Sequence, residues 1–199
     1  VRALVTGATG FVGRPVLEGL KRRGVDVITL GRDPAADVRA DLLAEAPRVA
    51  ADVLIHVAWY AEHGKFWTAP VNTQWVTATE RLVEAFCRAG GRRVVGVGSC
   101  AEYDWSHGRC VEMSTPRRPA TLYGVSKDQA HRAMAEVCAA HGVPCAWSRL
   151  FIPIGAGEAP GRLIPSVIAA LRGARAPFAI GGAAKRDFLH VDDVAEALV

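Results

Sequence analysis

The sequence predicts an α/β fold built on a doubly wound parallel sheet, and three observations carry that prediction. Short apolar runs suited to strands buried on both faces recur at Ala3–Val5, Asp26–Leu30, Val53–Ala58, Arg93–Val97 and Cys145–Leu150. Helical stretches lie between several of them, and no hairpin signal joins the first four. At the front of the chain, one strand runs through Thr6-Gly7-Ala8-Thr9-Gly10-Phe11-Val12-Gly13 directly into a helix.

In that first unit, Val12, Val16 and Leu20 share one helical face. Gly7 permits a tight turn out of the strand, Gly10 lets backbone approach a pyrophosphate, and Gly13 lets the helix pack close to the sheet. A helix N-terminus adds free N–H groups and a partial positive charge, so a dinucleotide is the expected ligand. The spacing is G-x-x-G-x-x-G rather than G-x-G-x-x-G, and a glycine turn that serves packing alone is the alternative.

With 199 residues, half of them hydrophobic, the chain has enough apolar side chain for one full core and part of a second lobe. The net charge of +4 comes from scattered arginines without a basic run or a nucleic-acid motif, which favours small anionic ligands over nucleic acid. Five cysteines without metal spacing suggest free thiols in a reducing compartment. There is no run of 18 apolar residues, and the first residues already read as a strand, so the expectation is a cytoplasmic protein without a membrane span.

The second strand ends at Gly31-Arg32-Asp33, where folds of this kind hold the adenosine ribose. Gly31 replaces the usual acid and Arg32 follows, which favours NADP over NAD; a solvated Arg32, with Asp33 turned to the ribose, is the alternative. Asp41-Leu42 places a carboxylate near the adenine amine, with an ordinary surface Asp or a helix N-cap as the alternative. Ala58 closes the third strand with a side chain small enough for a cofactor to approach, and His56 reads as a hydrogen-bonded core residue. A helix is expected from Trp75 to Arg88 with Asn72 at its entrance as a cap, and another from Tyr123 to about His141. After residue 150 come a Gly/Pro-rich loop, a helix from Leu163 to Leu171 and a short strand at Phe178–Ile180. The last helix is only beginning at Val199. We therefore expect residues 1–150 to form the dinucleotide-binding domain and 151–199 to start a small, incomplete C-terminal substrate lobe that returns to the core at about 186–199.

Tyr123 and Lys127 are four apart on one helix face. A neighbouring ammonium favours a phenolate, and a Tyr so assisted exchanges protons with a sugar or alcohol hydroxyl. Ser99, at a strand end, is placed to hold the same oxygen. A surface Tyr and Lys stacked on a helix is the plainer account of the pair alone.

Thr6 to Gly13, Asp41-Leu42, His56-Val57-Ala58, Asn72, Ser99 to Tyr103, Tyr123 to Lys127, Arg149 and Arg186 to Val194 together resemble the extended short-chain dehydrogenase/reductases, in particular their nucleotide-sugar epimerase/dehydratase/reductase group. The resemblance implies a Rossmann fold binding NADP or NAD. It implies Tyr123 as general acid/base and Lys127 as its modulator and nicotinamide-ribose ligand. Ser99 would hold the reacting oxygen, and Asn72 would sit near the proton relay. Gly7, Gly10, Phe11, Val12 and Gly13 would hold the pyrophosphate, with Asp41 and Leu42 bordering the adenine. Arg186 would meet the phosphates of a nucleotide sugar, and Arg162 falls where relatives present an Asn to that diphosphate. Relatives also often form homodimers through the helices near Trp75 and Tyr123.

One departure narrows the reaction. Dehydratases of the group follow the Ser/Thr with an Asp-Glu pair, whereas Cys100-Ala101 follows Ser99 here, with Glu102 shifted by one and expected to face elsewhere. Dehydration is therefore disfavoured. A 4-ketoreductase using NADPH is the leading expectation and a 4-epimerase holding NAD the second. A dinucleotide-sensing scaffold that has lost catalysis is a third reading, from another class.

Overall fold

The computed structural model describes residues 1–181 and 185–199. Its centre is a six-stranded sheet of β1 (Arg2–Thr6), β2 (Asp26–Gly31), β3 (Val38–Arg39), β4 (Val53–His56), β5 (Arg93–Ser99) and β6 (Cys145–Leu150). All pairings are parallel, and the order is β3-β2-β1-β4-β5-β6. Helices α1 (Gly13–Arg22), α2 (Val71–Arg88) and α3 (Leu122–His141) make the crossovers.

Alternation along the strands gives the sheet two apolar faces. Leu4, Leu54 and Val94 point one way, into a core with Leu82, Val83 and Phe86 of α2 and Met134 of α3. Ala3, Val5, Ile55 and Val97 point the other way, against Val16 and Leu20 of α1. Each fully buried side chain of this size contributes about 1.5–3 kcal/mol. Because the order reverses between β1 and β4, a crevice opens above the strand C-termini there, where such sheets bind ligands.

Beyond β6 the chain leaves the sheet. β7 (Ile152–Ile154) pairs in parallel with β8 (Phe188–His190), and the excursion between them carries α4 (Leu163–Leu171). The closing helix α5 (Val191–Leu198) lays Val194 and Leu198 against the α1 face, with Glu196 bridging Arg22 and Arg23. The five cysteines are free thiols, and no described helix is long and apolar enough to cross a membrane.

Several local expectations need correction. Val12 lies just before α1 as its N-cap residue. α2 begins at Val71, with Pro70 in the N-cap position, so Asn72 lies inside the first turn and caps nothing. β4 stops at His56, short of Ala58. Phe178–Ile180 pairs with no strand among the described residues and has no regular secondary structure.

Candidate active site

The first turn is built as its glycines require. Gly7 has φ +71°, and a Cβ there would lie 2.7 Å from the Ala58 nitrogen, while a Cβ at Gly13 would collide with the Gly7 carbonyl. Gly10 is exposed, with only the Gly7 oxygen near. The amides of Phe11, Val12 and Gly13 donate to no protein acceptor among the described residues, no side chain caps α1, and its first turn holds no acid. Bare amides beside an exposed glycine fit a dinucleotide's diphosphate.

Around this turn, Arg32 is exposed and has no partner among the described residues, whereas Asp33 Oδ1 accepts the Ala35 N–H at 2.9 Å. Asp41 accepts the Leu43 N–H at 3.0 Å beside the buried Leu42, so its carboxylate serves its own turn. The Ala58 N–H donates to Thr6 Oγ1. His56 is a core residue, as the sequence suggests. Its ring lies between Thr6 Oγ1 at 2.7 Å and Thr79 Oγ1 at 3.1 Å, and burial drives its pKa down to about 3.

Ser99 ends β5 and caps a short 3-10 turn. Its Oγ accepts the Ala101 N–H at 3.2 Å, while its own N–H donates to Glu102 Oε1 at 2.7 Å. Glu102 thus faces inward, fully buried beneath Ser99, and is also held by Arg149 and Trp147. The signal for this was in the sequence, since Ser99-x-x-Glu102 has capping-box spacing.

α3 starts where Thr121 accepts the Gly124 N–H at 3.1 Å, and its first turns present Tyr123 and Lys127. Three rings stand edge-on to Tyr123: Phe66 at 4.8 Å, Trp67 at 5.8 Å and Trp59 at 6.5 Å between centroids. Burial pushes the phenol up to about 12, partly opposed by the Ser99 hydroxyl. Lys127 Nζ donates to Val97 O at 2.8 Å and lies 3.8 Å from the Trp59 ring centroid, 6.0 Å from that of Tyr123. Burial lowers its pKa to about 7. Both groups are thus shifted towards their neutral forms, because burial among the rings penalises charge on each.

Asn72 reaches this group through an intermediary. Its Oδ1 accepts the Trp59 indole N–H at 2.8 Å, and its Nδ2 donates to Phe66 O at 2.6 Å and Ala69 O at 3.0 Å. Arg162 pairs with Glu158 at 3.0 Å, and its charge reaches the Tyr123 phenol. Arg186 is exposed at the start of the segment into β8, apart from this cluster of contacts. Trp59, Glu102 and Glu158 were not foreseen. For Trp59, which follows the small Ala58, and for Glu158 no spacing rule gave a signal.

The chain also has known relatives. The UDP-glucose 4-epimerase of Streptomyces lividans is 28% identical across 98% of this chain and 69% of its own length. The dTDP-6-deoxy-L-talose 4-dehydrogenase (NAD(P)(+)) of Kitasatospora kifunensis is 29% identical across 100% of this chain and 69% of its own. Among solved structures, MoeE5 in complex with UDP-glucuronic acid and NAD is similar with a TM-score of 0.80 and 30% identity, covering 100% of this chain and 71% of that one. The family model for NAD dependent epimerases/dehydratases matches residues 3–199. With the parallel sheet and the glycine turn, this makes the chain an enzyme of the NAD-dependent epimerase/dehydratase family, within the extended short-chain dehydrogenase/reductases.

Proposed function

We propose that this enzyme reduces a 4-keto group on a nucleotide-linked sugar. The observation that carries the reading is the exposed Arg32 guanidinium at the end of β2, which suits the 2′-phosphate of NADPH, the reductant such a reaction consumes; the buried Tyr123 phenol is available in its protonated form. A protonated phenol is the form that gives a proton to an oxygen becoming an alkoxide, whereas oxidation of a sugar hydroxyl requires a phenolate first. A bound nicotinamide dinucleotide supplies the hydride in this chemistry. Ser99 Oγ would hold the reacting oxygen beside the phenol, and Lys127 would bind the nicotinamide ribose and restore the proton balance. Gly7, Gly10, Phe11, Val12 and Gly13 would seat the diphosphate, with Ala58, Asp41 and Leu42 along the nucleotide. Arg162 and Arg186 would meet the substrate's phosphates.

Arg32 supports NADPH, since a free guanidinium suits a 2′-phosphate while Asp33 is engaged in its own turn. Dehydration fits poorly. The Cys100 thiol is pushed up to about 11 by burial, and the Glu102 carboxylate is bound to Arg149. The name of the Streptomyces lividans relative and the NAD in the MoeE5 complex favour a second reading, 4-epimerisation with retained NAD.

Mass spectrometry of small molecules released from the folded protein, with turnover of nucleotide-linked 4-keto-sugars, separates the two. Exchangeable NADPH and hydride transfer lost in Tyr123→Phe support reduction, while retained NAD with interconversion of 4-epimers selects the epimerase. Unaltered turnover in Tyr123→Phe removes that residue from the chemistry.

A further inference from the structure

Lys127 is an ammonium in an unusual setting. It is 3% exposed, and its one hydrogen bond within the described residues goes to Val97 O. An ammonium has three N–H bonds to place. The charged or titratable groups around it offer limited help. Glu102 supports the charge from beneath Ser99 but is bound to Arg149, His56 is a neutral imidazole, and Tyr123 is a protonated phenol. What lies against the ammonium is the Trp59 ring, 3.8 Å from Nζ to centroid, and tryptophan provides the strongest cation–π face.

That indole is fixed on two sides. Its N–H donates to Asn72 Oδ1 at 2.8 Å, and its ring stacks on Trp75 with centroids 5.7 Å apart at 27°. Asn72 is itself tied to two loop carbonyls, Phe66 O and Ala69 O. We propose that Trp59, oriented by Asn72, is a positioning residue whose ring face holds Lys127 as an ammonium at the site. Asn72 then acts on the reaction through an aromatic ring, without touching a reacting atom. The inference rests on the reading of Lys127 as the partner of Tyr123, but its principal test does not depend on turnover.

The chain has four lysines, so 13Cε-lysine labelling gives a simple spectrum in which Lys127→Met identifies the signal of interest. In an NMR titration, Trp59→Leu lowers the Lys127 midpoint by about 1 unit, a tenfold change in acidity, while Trp59→Phe recovers at least half of the loss. Asn72→Ala, which frees the ring without removing it, gives a smaller fall. If Trp59→Leu does not fold, stepwise fluorinated tryptophan at position 59 withdraws electron density at nearly constant shape, and the midpoint falls with each fluorine. A midpoint that is independent of ring electronics, or equal in Trp59→Leu and the parent, overturns the proposal. Once a substrate is known, the alkaline limb of kcat/KM moves to lower pH in the same order of variants. A titration that behaves as stated in a protein without sugar turnover would leave this inference standing and remove only the functional one.

Discussion

Glu102 and Arg149 meet beneath the floor of the site, with Oε2 2.6 Å from Nε and the carboxylate fully out of solvent. The other carboxylate oxygen holds the Ser99 N–H, and Arg149 also reaches Nδ1 of His131, whose pKa burial and flanking guanidinium groups depress to about 4. The pair thus anchors the strand end that presents Ser99. Glu102→Gln leaves a largely buried guanidinium without its counter-charge, and a loss of about 3–5 kcal/mol is expected in urea unfolding. Turnover falls with it through displacement of Ser99, with a smaller effect on KM.

Lys127 makes stability depend on pH in a defined direction. The folded chain releases this proton near pH 7 and the unfolded chain near 10.5, so the unfolded state binds more protons throughout that window. Stability therefore rises with pH across it. Lys127→Met is expected to be more stable than the parent by about 2–4 kcal/mol at pH 7, a shift of this size being reduced by the Trp59 contact. The gap is widest below pH 7 and closes towards 10.5, which thermal melts at a series of pH values will follow.

If Arg32 meets the adenosine ribose as proposed, it separates the two dinucleotides. Removing a charge-assisted contact to a 2′-phosphate costs about 1.5–2 kcal/mol, so Arg32→Ala should weaken NADPH binding roughly tenfold to thirtyfold and leave NADH nearly unchanged. Calorimetric titration of both cofactors checks this, and equal weakening of the two would place Arg32 outside the ribose site.

Gly13 tests the packing of the first helix. Replacing Gly by Ala in a helix ordinarily stabilises by up to about 1 kcal/mol. Here the added carbon would meet Gly7 backbone, which cannot swing aside as a side chain does. Steric exclusion should win over propensity, with Gly13→Ala destabilising by about 2 kcal/mol or more and losing dinucleotide affinity in the same melts.

The sheet was largely legible because five of its strands are apolar runs and the glycine spacing announces the first crossover. β3 was not, since two residues that extend the sheet beyond β2 carry no pattern of their own. Phe178–Ile180 has the composition of a strand, but pairing requires a neighbour that composition cannot reveal. At the site, Tyr123 and Lys127 were readable as a pair from helical spacing. Their protonation was not, because it is set by rings brought from a loop some sixty residues earlier, Trp59, Phe66 and Trp67. A place near a helix start gives Asn72 the look of a cap, and only the resemblance points it towards the proton relay; its amide faces inward onto the loop.

The parallel clasp of β7 and β8 fastens both ends of the excursion between them, one directly after β6 and the other directly before α5. Changes of length within that arc are therefore taken up between two fixed points of the fold, while Gly157 inside it stays closely packed against Arg14 of α1. On the proposed function, descendants of such a chain would inherit one way of moving hydride while the arc varies, and grafting the arc between homologues would test whether it selects the molecule that receives it.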